Sequence, residues 1–143
     1  MPVPESNYAS WLKKAENDLL SIENNLSAER TPWDTVCFHA QQAAEKYLKA
    51  YLAYHGVNIK RTHDLVALLS VAVEFDKNLR SLEQDCRRLT YYAVSARYPD
   101  DLYEPGETDA REMIEANSRV REAIILRLAD HEDVRDDVRS NHT

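Results

Sequence analysis

Glycine is nearly missing from this chain, with two in 143 residues, and proline supplies only five. Neither Asn-Gly nor Asp-Gly occurs, so the strongest short-range signals of a β-hairpin are absent. Cysteine is as scarce. Cys37 and Cys86 stand far apart with no Cys-x-x-Cys spacing, which leaves no zinc or redox pairing to read, and both are expected to be reduced, packed thiols. Long apolar runs are missing too. The longest, Val66 to Val73, is far below the roughly 20 residues that cross a bilayer. No basic-then-apolar leader opens the chain, and the expectation is a cytoplasmic protein that makes no membrane contact. Basic charge is also short, with 18 Lys and Arg against 25 Asp and Glu and a net charge of −7. That balance counts against non-specific nucleic-acid binding, so any RNA contact must be local.

Several chemical motifs can be dismissed the same way. The chain has no G-x-G-x-x-G, no G-x-x-x-x-G-K-[ST], no H-E-x-x-H and no G-x-S-x-G. No glutamate precedes a histidine by three, as a ferritin-like di-iron bundle requires. Neither a metal site nor a cofactor is expected.

What is present is a surplus of helix formers, with 43% hydrophobic residues in a length that suits one core. Tyr8, Trp11, Leu12, Ala15, Leu19, Ile22 and Leu26 recur at three- and four-residue steps, which predicts a first helix from Ser6 to about Ala28 with one buried stripe. Thr31-Pro32-Trp33-Asp34 reads as the start of a second, with Thr31 as N-cap, and Gly56 as its C-cap. The apolar residues of that helix, from Val36 to Leu52 and including Phe38, cover more than one stripe, so it should be central and packed on two sides. Thr62-His63-Asp64 opens a short third helix, and a break near Asp76 to Asn78 leads into a fourth. The fourth should end near Arg97, because Pro99 pushes Tyr98 out of the helical region. Thr108 is expected to cap a fifth helix with the stripe Met113, Ile114, Val120, Ile124 and Leu128. The predicted fold class is all-α, an antiparallel four- or five-helix up-and-down bundle over residues 1–130, followed by an acidic, solvated or disordered tail over 131–143.

Two polar clusters interrupt this pattern. His39, Gln42, Lys46 and Lys49 share one face of the second helix. They read either as a solvated or dimer-facing stripe, or as a cleft wall that binds phosphate or RNA through His39 and Lys46. The second cluster runs from Tyr91 to Asp101 and sets Arg97 at a helix end among tyrosines. An Arg fork takes phosphate in two parallel bonds and tyrosine rings stack on bases, so the chemistry suits a nucleotide or single-stranded RNA. Equally, Arg97 can cap its own helix or pair with Asp100 or Asp101.

Taken together, Trp11, Ala15, Asp18 and Leu19, then His39-Ala-Gln-Gln-Ala-Ala-Glu-Lys, then Thr62-His63-Asp64-Leu65, and last Ala96-Arg97-Tyr98-Pro99-Asp100, resemble the HEPN family over roughly residues 8 to 130. The resemblance implies a helical bundle that is usually a homodimer, often encoded beside a minimal nucleotidyltransferase in toxin–antitoxin or defence pairs. Many members are metal-independent endoribonucleases, in which an Arg at this helix end is followed after four to six residues by His. Their chemistry is attack by a 2′-hydroxyl, with histidine in the acid-base roles and arginine holding the phosphate. Here Arg97 matches the arginine, but the positions open to histidine hold Leu102, Tyr103 and Glu104. Arg135 and His142 fit the spacing only within the tail. His39 or His63 is left as a substitute acid-base group, and Tyr103 is the nearest candidate for the tyrosine close to the motif whose nucleotidylation silences family toxins. The resemblance and the two clusters together nominate Arg97, Tyr98, Asp101, Tyr103, His39 and Lys46 for nucleotide or RNA binding. Three roles follow: a partner module that binds without cutting, a ribonuclease with a degenerate motif, and a purely structural dimer.

Overall fold

The computed structural model describes residues 4–59, 61–95 and 104–140, with side chains for 8–59, 61–91 and 104–130. Its elements are α1 (Pro4–Leu26), α2 (Trp33–Tyr54), α3 (Leu65–Ala72), a 3-10 helix (Lys77–Leu82), α4 (Glu83–Ser95) and α5 (Glu107–Ser140). No strand occurs among the described residues, and the fold is an all-α bundle. No described helix is long and apolar enough to cross a membrane.

The bundle is organised around α2, which touches each of the other four α-helices. Its alanines make this possible. Ala40, Ala43, Ala44 and Ala50 are fully buried, and such short side chains let neighbouring helices approach closely, while Tyr47, Leu48, Tyr51 and Leu52 fill the remaining space. The expected stripe of α5 is buried at Met113, Val120, Ile124 and Leu128, with Ile114 half-buried. Two expectations fail at the margins. Phe38 is 56% exposed and Leu26 is 37% exposed, because each lies off the arc of its helix that faces the core.

Helix ends show where local chemistry differs from the sequence reading. Pro32, not Thr31, holds the N-cap position of α2: its backbone is extended, and its carbonyl accepts from Val36 N–H at 3.1 Å. Thr108 does not cap α5 either. Gly106 occupies that position, its carbonyl accepting from Ala110 N–H at 3.0 Å, and Asp109 reaches back to accept from Gly106 N–H at 3.0 Å, which is half of a capping box. Asp64 does cap α3, accepting from Val66 and Ala67 N–H. The expected end of α4 near Arg97 lies outside the described residues. The α5 backbone continues helically to Ser140, through the stretch whose composition suggests a tail.

At the other end of α2, Gly56 has φ +74° and follows the cap residue His55. Val57 N–H bonds the Leu52 carbonyl and Gly56 N–H bonds the Ala53 carbonyl, both at 3.0 Å, the pairing of a Schellman motif. A Cβ at this glycine would meet no atom within 4 Å, so the cost of a side chain there is conformational only. Gly56→Ala should therefore lose about 1 kcal/mol and Gly56→Asn less, since asparagine tolerates the left-handed region. Urea unfolding of the three chains checks the order; equal midpoints would remove the left-handed cap as a source of stability.

Asp76 precedes the 3-10 helix and accepts from Asn78 N–H at 3.0 Å and from Arg127 Nε at 2.8 Å. The backbone bond from Asn78, with Arg127 adding to it, holds the carboxyl below its ordinary value of 3.8. A depressed folded-state value means stability that is present above the unfolded value and lost as pH falls through the folded one. Asp76→Ala should lower the unfolding midpoint at neutral pH, with the gap to wild type narrowing once pH falls below the unfolded-state value and closing as it passes the lower folded-state one. A gap independent of pH would deny the carboxylate this role.

Candidate functional site

The polar stripe of α2 does not face open water. Asp18 on α1 reaches across and takes both of its expected phosphate ligands: Oδ1 lies 2.8 Å from His39 Nδ1 and Oδ2 accepts from Lys46 Nζ at 2.5 Å. His39 and Lys46 are two helical turns apart on one face, so one carboxylate set between them clamps α1 to α2. Its side chain is only 9% exposed, against 23% for His39 and 21% for Lys46.

A second, deeper network lies beside the first. Glu45, 4% exposed, accepts from Lys49 Nζ at 3.1 Å through Oε2 and meets His63 Nδ1 at 2.9 Å through Oε1. Gln41 Nε2 makes longer contacts of 3.5 Å to Glu45 Oε1 and to the His63 carbonyl, and Gln42 Nε2 donates to Gln41 Oε1 at 2.7 Å. The Lys49 ammonium also lies 5.2 Å from the centre of the Trp11 ring on α1, which Lys14 approaches at 5.1 Å. Each network thus joins one carboxylate, one imidazole and one ammonium.

The two imidazoles are oriented alike. A carboxylate acceptor places the proton on Nδ1, and the neutral ring then offers Nε2 as its acceptor. Such an arrangement either fixes a structural histidine or prepares a base. The ammonium groups have less to offer, because the positive charge of Lys46 is already met by Asp18 and that of Lys49 by Glu45. The thiols offer nothing nucleophilic: burial, with nearby carboxylates adding to it, pushes Cys37 and Cys86 each up to about 12.

Of the sequence-predicted residues, the structure brings His39 and Lys46 together on one carboxylate. Arg97, Tyr98, Asp101 and Tyr103 lie outside the described residues. Sequence reading did not assign roles to Asp18 and Glu45. Asp18 had a signal, since it falls within the apolar stripe of α1 between Ala15 and Ile22, and an acid in such a position requires a partner.

A family model described as the HEPN domain matches residues 8–128. No curated protein matches the chain. Among solved structures, the crystal structure of an archaeal HEPN homologue is similar at 28% identity with a TM-score of 0.65, covering 84% of this chain and 96% of its own.

Removing either carboxylate leaves cations short of a partner, and the deeper site should suffer more. Asp18→Asn should cost about 1–2 kcal/mol, its partners keeping some access to water, and Glu45→Gln about 3 kcal/mol. Urea unfolding at neutral pH measures both; a smaller loss for Glu45→Gln would reverse the ranking and make Asp18 the principal clamp.

Proposed function

The chain belongs to the HEPN domain family, and on that premise we propose that it is the binding member of a nucleotidyltransferase pair, of toxin–antitoxin or defence type, working in the cytoplasm as a homodimer. It holds a nucleotide or an RNA strand through Arg97 and does not cut it. Cleavage by a 2′-hydroxyl requires one group to take its proton and another to protonate the departing 5′-oxygen. The sequence places Leu102, Tyr103 and Glu104 where the family's enzymes carry histidine. The observation that carries the reading is that His39, the substitute on the α2 stripe, is largely covered and shares Asp18 with Lys46.

One observation favours the alternative of a metal-independent endoribonuclease. The His63 side chain is 57% exposed while its Nδ1 is held by Glu45, which leaves Nε2 open to a substrate proton. A single set of measurements separates the two. On the binding reading, purified wild type with chelator cleaves RNA no faster than Arg97→Ala, and Arg97→Ala weakens RNA or nucleotide binding by roughly ten- to a hundredfold with an unchanged unfolding midpoint. Cleavage abolished by both Arg97→Ala and His63→Ala would replace this reading with the enzymatic one. Absence of cleavage together with unchanged binding in Arg97→Ala would leave a structural dimer.

A further inference from the structure

Two concavities meet where α3, the 3-10 helix, α4 and α5 come together. One of about 300 Å³ is walled by Val66, Leu69 and Val73, and one of about 540 Å³ by Arg88, Arg119 and Asp85. Arg80 and Glu83 line both, so the two form one groove with an aliphatic end and an arginine end. Its acids are already matched. Asp85 is bound by Arg119 at 2.9 and 3.0 Å, and Glu83 by Arg87 at 2.8 Å. Arg80 and Arg88 are exposed and have no acidic partner among the described residues. In a chain with a net charge of −7, two uncompensated guanidiniums share one groove.

The lining selects the class of occupant. Bases stack on aromatic rings or on guanidinium planes; none of the lining residues is aromatic, and the aliphatic end formed by Val66, Leu69 and Val73 gives a base neither. An aliphatic notch beside an arginine pair instead suits a polypeptide that carries acids next to aliphatic side chains. The chain itself contains such a sequence. Between Glu132 and Val138 lie four acids, one arginine and two valines spaced by four.

That sequence cannot reach the groove of its own chain. α5 is one helix from Glu107 to Ser140, and Arg119, which lines the groove, belongs to it. At the helical rise, Glu132 is roughly 20 Å further along the same axis. We propose that the groove receives the Glu132–Val138 segment of a second copy, with the acids on Arg80 and Arg88 and a valine in the notch of Val66, Leu69 and Val73. This rests on the homodimer reading above and adds where the two copies meet.

The test is sedimentation of the full chain and three variants, with circular dichroism and unfolding midpoints to establish that each folds. Wild type should be a dimer that weakens with added salt. Arg80→Glu with Arg88→Glu should raise the dimer dissociation constant at least about tenfold, and so should lysine at Glu132, Asp133, Asp136 and Asp137. Both sets in one chain reverse both sides of the contact and should restore most of the affinity. Failure of the combination to restore it would overturn the charge pairing. A dimer indifferent to either set would overturn the inference and leave the homodimer reading standing on another face, such as the one bearing exposed Phe38. A wild type that sediments as a monomer throughout would overturn both.

Discussion

On the faces of α2 that its neighbours cover there is no water to satisfy polar side chains, and three point inward there: Gln41, Glu45 and Lys49, each less than a tenth exposed. An unmatched charge there would be prohibitive, so the partners must come from the protein itself. Lys49 comes from the next turn of the same helix, and His63 from the segment that leads into α3. Trp11 adds a ring from α1. Partners therefore reach Glu45 from α2 itself and from the segment before α3, with α1 meeting only its Lys49 partner, and the path of the chain between α2 and α3 is constrained by where His63 has to arrive. Glu45 is satisfied only when that geometry is made, which gives the bundle a criterion for one particular arrangement of its helices that apolar packing alone would not supply.

The sequence makes the helices legible because periodicity is a local property. The stripe of α5, the apolar run of α2 and the start of α3 at Thr62-His63-Asp64 can be read within a few residues of themselves. The caps expected at Thr31 and Thr108 fall elsewhere for a related reason: Pro32 and Gly106 lack a capping side chain, yet their backbone carbonyls accept the first helical bond. The polar clamps were out of reach for a different one. Spacing puts His39 and Lys46 on one face, but it cannot say that the acid meeting them comes from 21 and 28 residues earlier. Of the two sequence-derived readings of that stripe, a phosphate-binding wall and a solvated or dimer-facing band, neither includes an internal clamp.

Charge is distributed unevenly in this protein, and the net value conceals it. An overall excess of acids coexists with a groove where the acids are matched and two arginines are left over. Of the aliphatic residues that border the groove, Val66 and Val73 are only partly buried, whereas Leu69 is buried with Leu65, Leu68 and Ala72 and belongs to the core. Family membership bears on the bundle as a whole. The two carboxylate networks are built largely from Asp18, His39, Glu45, Lys46 and His63, which are among the residues that carry the family resemblance.

The Asp18 clamp also bears on the order in which the chain assembles. α1 and α2 are joined by a short connection, and the groups that fasten them are close in sequence, whereas the bond from Arg121 on α5 to the Tyr47 hydroxyl on α2 spans 74 residues. Loop-closure entropy rises with the length enclosed, so the α1–α2 hairpin closes at the smaller entropic cost and already contains its ionic fastening. The long final helix then has a preformed surface to add to, and a nascent chain exposes that surface until α5 has been made.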